Sequence, residues 1–78
     1  MRKTTIKCLN DNMTFDLGRE VEPICAVINI GKALDSITYE VTLTGVKLKE
    51  FIIDNKLDKS FLNQIIDDNI YVVTAYDW

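Results

Sequence analysis

The sequence predicts an α+β domain: a sheet of about five strands, antiparallel or mixed, with two short helices on one face. Three observations carry that expectation. Ile37, Tyr39, Val41 and Leu43 alternate without a break with Thr38, Glu40, Thr42 and Thr44, the period of a strand with one buried and one wet face. Leu48, Phe51 and Ile52 then stand at i, i+3 and i+4, the spacing of an amphipathic helix. A chain of 78 residues, 47% hydrophobic and 27% charged, is globular in composition and has the length of one domain, 1–78.

The elements follow in the order β-β-β-β-α-α-β. Residues 4–9 read as a strand with Ile6 and Cys8 on one face. Asn10, Asp11 and Asn12 make a turn cluster, and Met13, Phe15 and Leu17 alternate with Thr14 and Asp16 as the returning strand of a hairpin. Residues 18–23 form a polar connection. Residues 24–30 are apolar on both sides and admit two readings. Pro23 suits the first turn of a helix over 23–34, whereas the β-branched Ile24, Val27, Ile28 and Ile30 favour a central strand, and the strand is preferred. After the strand at 37–44, a helix is expected over 46–55. A second is expected over 57–69, with Asp58 as its cap, a Leu57–Leu62 staple and an apolar stripe of Phe61, Leu62, Ile65 and Ile66. Residues 70–75 close the sheet as a well-covered strand. Phe15, Ile28, Val41, Leu43, Phe51, Leu62, Ile65 and Val72 are the expected core.

Catalytic chemistry finds little support. The chain has no histidine, which removes the commonest acid–base group and metal ligand. Ser36 and Ser60 lie in no nucleophile elbow. Gly18, Gly31 and Gly45 are too far apart to cradle a phosphate. Cys8 has only Lys7 beside it, on the opposite face of its strand. Asp54, Asp58, Asp67 and Asp68 match no metal-binding loop. The expectation is therefore a protein that is not an enzyme, with no cofactor and no metal.

Thr4, Thr5, Lys7 and Asn10 interrupt any apolar export segment after Met1, Arg2 and Lys3, and the apolar stretch at 24–30 is too short to span a bilayer. A cytoplasmic location is expected, with Cys8 and Cys25 reduced and buried as small apolar side chains.

Charge is the most informative feature. Five basic and five acidic residues balance over 1–39, whereas 40–78 hold four basic against seven acidic, and no basic residue follows Lys59. The net charge of −3 argues against direct binding of nucleic acid. Asp67 and Asp68 at the end of a helix would oppose its dipole, which suggests another use for them. Tyr71, Tyr76 and Trp78 lie close to these acids and to Asp77, and Tyr and Trp are favoured at interface hot spots. Asp67, Asp68, Tyr71, Tyr76, Asp77 and Trp78 are therefore the expected partner-binding residues. The expected partner is a larger protein with a basic surface, such as a nuclease or other nucleic-acid enzyme. Inhibition by mimicry of nucleic-acid charge would follow, as by small phage-encoded proteins that act against host defence (anti-CRISPR or anti-restriction type). Two alternatives stand beside it. One is a self-associating accessory subunit or small-ligand-binding homo-oligomer, a homodimer in its simplest form. The other is a transcriptional regulator using the helix pair at 46–69, with Lys59, Ser60, Asn63 and Gln64 facing the bases.

Overall fold

The computed structural model describes residues 2–77. The strands are β1 (Arg2–Cys8), β2 (Thr14–Gly18), β3 (Lys32–Ala33), β4 (Thr38–Thr44) and β5 (Ile70–Asp77). Helix α1 (Val21–Ile30) lies between β2 and β3, and helix α2 (Gly45–Asp54) follows β4. The strands form one sheet in the order β2-β1-β5-β4-β3, with each neighbouring pair antiparallel. The fold is α+β, with five strands and two helices.

The first hairpin forms as its residues dictate. Asn12 takes up a left-handed φ of 61°, which Asn tolerates better than most residues. The Asp11 carboxylate accepts from the Met13 N–H at 3.0 Å, and the strands close through the Cys8 N–H to the Met13 carbonyl at 2.8 Å. Helix α2 starts one residue earlier than expected. The Thr44 hydroxyl accepts from the Lys47 N–H at 3.3 Å and caps it, while Leu48, Phe51 and Ile52 are buried.

Two elements correct the expectation. Residues 24–30 belong to a helix, not a strand. Pro23 lies in its first turn, where a missing N–H costs nothing. Pro23, Ile24, Ala26 and Val27 make the buried stripe, so tertiary burial overrides the β preference of the branched side chains. Gly31 ends the helix against β4. A Cβ there would lie 2.6 Å from the carbonyl oxygens of both Val27 and Glu40, so a glycine is required.

The helix expected over 57–69 is replaced by an irregular segment with one 3-10 turn, Leu62–Gln64. Asp58 caps no helix; its carboxylate accepts from the Ser60 N–H at 2.9 Å in a local turn, and the 3-10 turn that follows has no side-chain cap. The segment is tied down elsewhere. The Ile66 N–H donates to the Tyr71 hydroxyl at 2.9 Å, and the Gly45 N–H donates to the Asn69 carbonyl at 2.9 Å. These bonds hold 66–69 against the start of α2 in a path no helix follows.

The core lies between the helices and one sheet face. In register across β1, β5 and β4, Thr4, Ala75 and Tyr39 form one row, Ile6, Val73 and Val41 the next, and Cys8, Tyr71 and Leu43 the third. Ile24, Val27, Leu48, Phe51 and Ile52 pack onto them. Of the expected core, Phe51 and Ile65 are buried, and Phe15, Val41, Leu43 and Leu62 pack at its margin. Phe15 meets Phe61 with ring centroids 5.3 Å apart. Ile28 is 39% exposed, because it falls off the buried stripe of α1. Val72 is half-buried, because it points to the sheet face opposite Tyr71 and Val73. Cys8 is buried and Cys25 is exposed, both as free thiols. The burial expected of Cys25 fails because residue 25 lies on the outer side of α1.

Candidate functional site

The structure disperses the five described residues of the six expected to bind a partner. Asp67 and Asp68 are exposed just before β5, and Asp77 is exposed at its end. The eight residues of β5 hold them about 26 Å apart at the usual rise per residue, so they form no common patch. Asp67 pairs with the Lys49 ammonium at 2.7 Å, and Asp77 with the Arg2 guanidinium at 3.3 Å. Tyr71 is 1% exposed and belongs to the core, where its hydroxyl serves Ile66. It therefore presents nothing to a partner, a correction that follows from its alternation with Val72 on the central strand. Tyr76 is half-buried on the opposite face, between Lys3 and Thr38. Trp78 lies outside the described residues.

A different place gathers three acids around a concavity. Where β2 runs into α1, a shallow cleft of about 380 Å³ opens, and Glu20, Glu22 and Asp58 line it together with Lys56. Its apolar part comes from Leu17, Pro23 and Leu57, all buried. None of the three ion pairs among the described residues involves these carboxylates. The local sequence accounts for their positions. Glu20 flanks the first turn of α1 and Glu22 lies within it, where the helix dipole favours negative charge. Lys56 turns the chain with a left-handed φ of 55° and brings Asp58 alongside. A second depression continues from Glu22 along α1, past Cys25 and Asn29 to Asn55.

No family model matches the chain, and no curated protein or solved structure is significantly similar to it. The site is therefore read from its own geometry.

The cleft offers a negative rim over a small apolar floor, which suits a cationic side chain that buries its stem and pairs its head. Among the described residues, no group of three or more Cys, Asp or Glu side chains is placed to hold a metal ion, so the three cleft carboxylates do not converge on one point. Among the described residues, no helix is long and apolar enough to cross a membrane. The helix pair expected to read DNA does not form, since its second member is a single 3-10 turn. The sequence hid this cleft because reading 24–30 as a strand left Glu20 and Glu22 in a loop. With 21–30 read as a helix, two acids at its N-terminus would have been the signal.

Proposed function

We infer that the protein is a non-enzymatic interaction module acting in the cytoplasm. In this reading its acidic cleft docks onto a basic surface of a larger protein, of the kind nucleic-acid enzymes present, and occupancy of that surface keeps nucleic acid out. The observation that carries the reading is the cleft itself, with Glu20, Glu22 and Asp58 around an apolar floor and outside the three ion pairs among the described residues. The net charge of −3 supports it, since charge complementarity steers association and suppresses wrong partners. Asp68, exposed and outside the three ion pairs, adds to the same field from farther away.

The test is a pair of baits used side by side on lysate of the native host: the wild-type chain and Glu20→Lys with Glu22→Lys. Both are first shown to be folded by circular dichroism. The reading predicts a basic protein held by the wild-type bait, released by salt, and depleted at least tenfold on the reversed bait. Equal recovery on both baits, or recovery insensitive to salt, refutes it.

A further inference from the structure

The sheet has a second face, which no described element covers, and its charges are arranged in stripes. Across the strands in their spatial order, the residues on this face are Asp16 on β2, Lys3 and Lys7 on β1, Thr74 and its neighbours on β5, Glu40 on β4 and Lys32 on β3. The register places them there, since Asp16 pairs with Thr5, Thr5 with Thr74, Thr74 with Glu40 and Glu40 with Lys32, and cross-strand partners share a face. Lys3 and Lys7 flank Thr5 at two-residue spacing and so lie on the same side. Asp16, Lys7 and Lys32 are exposed, and Lys3 and Glu40 half-buried. None of them enters any of the three ion pairs.

From β2 to β3 the stripes read negative, positive, neutral, negative, positive. Reversed, this sequence has the opposite sign at every charged position. We propose that this face binds a second copy of the same chain, packed face to face about a two-fold axis running along β5. That axis lays β1 over the partner's β4 and β2 over the partner's β3. Lys3 and Lys7 then bracket the partner's Glu40, and Asp16 meets the partner's Lys32. Thr74 lies over its own copy, with Val72 and Tyr76 beside it as the apolar centre. The other in-plane axis, across the strands, would lay lysine over lysine and glutamate over glutamate, so the charges select between the two geometries.

The size is sufficient for a reversible dimer. Four strand spacings and the length of β5 give a face of about 19 by 26 Å. Two such faces bury about 1,000 Å², the lower limit for a specific interface. Aligned packing of two twisted sheets is a common arrangement, and its crossing of about −30° turns the two-fold by about 15° from β5. The surface lies on the opposite face of the sheet from Leu17 and the cleft floor, so the proposal stands independently of the proposed function.

Sedimentation equilibrium on the full chain, from micromolar to submillimolar concentration, tests it. The expected result is a concentration-dependent rise from 8.9 kDa to twice that mass. Glu40→Lys alone, and Lys3→Glu with Lys7→Glu, should each weaken dimerisation at least tenfold. The triple exchange carrying all three substitutions restores opposite signs across the two-fold and should recover the wild-type constant to within a few-fold. Thr74→Lys, which places like charges on the axis, should abolish the dimer and guards against misfolding of any one variant. A wild-type chain that stays monomeric throughout overturns the proposal. So does a dimer indifferent to these reversals, or a folded triple exchange that remains as weak as the single reversals.

Discussion

Tyr71→Phe separates a core role for this residue from a binding role. The ring is 1% exposed, and phenylalanine fills the same space, so packing changes little. What is lost is the hydroxyl that accepts the Ile66 N–H at 2.9 Å. An N–H deprived of its partner costs about 1–3 kcal/mol when buried. This bond is only part-buried, so water recovers some of the loss and about 1–2 kcal/mol is expected. In a domain of this size each 1 kcal/mol moves the melting temperature by about 4–8 °C, which predicts a drop of about 4–16 °C by thermal circular dichroism. Binding of a partner at the acidic cleft should be unaltered below the transition. A variant that melts with the wild type, or one that keeps its stability and loses binding, would refute the placement of Tyr71 as the anchor of the 66–69 segment.

Other substitutions probe other joints. Gly45→Ala drives a Cβ onto the backbone carbonyl of Ile66 and should destabilise by about 1–3 kcal/mol in denaturant titration, as overpacking does. Thr4 is fully buried with its hydroxyl unpaired, so Thr4→Val should leave stability unchanged or raise it by about 1 kcal/mol, a result read from the same titration. Asp35 has its carboxyl held below its ordinary value of 3.8, first by the Ile37 N–H and also by Thr38. A lowered folded-state value means stability that is present above the ordinary value and lost as pH falls through the folded one. Asp35→Asn should therefore flatten the acid limb of a stability–pH curve. Native alkylation should modify Cys25, with Cys8 reacting only after unfolding, as peptide mass mapping would show.

The parts of the fold legible in the sequence are those where one periodicity stands alone. Alternation identified β4 and the β1–β2 hairpin, and the Leu48, Phe51 and Ile52 spacing identified α2, because each has one face in the core and a distinct polar face. Helix α1 was obscured because Val21, Cys25 and Ile28 keep its outer side apolar, leaving branched side chains to suggest a strand. The 57–69 segment has helical spacing in Phe61, Leu62, Ile65 and Ile66, yet its path is set by Gly45 and Tyr71, which contact it from other elements. Asp77 lies only nine residues beyond Asp68 in sequence, but β5 runs through the middle of the sheet and sets it at the opposite end from Asp67 and Asp68. The acidic cleft depends on Glu20 and Glu22 meeting Asp58 across more than thirty intervening residues, a proximity no local pattern encodes.

The place of the functional negative charge can be read from binding kinetics. With the partner recovered by the paired baits, association rates at low and high salt compare Glu20→Lys with Glu22→Lys against Asp67→Lys with Asp68→Lys. Electrostatic steering acts mainly on the association rate and is screened over about 8–10 Å at moderate ionic strength. The cleft reversal should slow association and flatten its salt dependence, while the reversal beside β5 should change both far less. An unaltered rate and salt slope for the cleft reversal, with the loss appearing at Asp67 and Asp68 instead, would contradict this expectation.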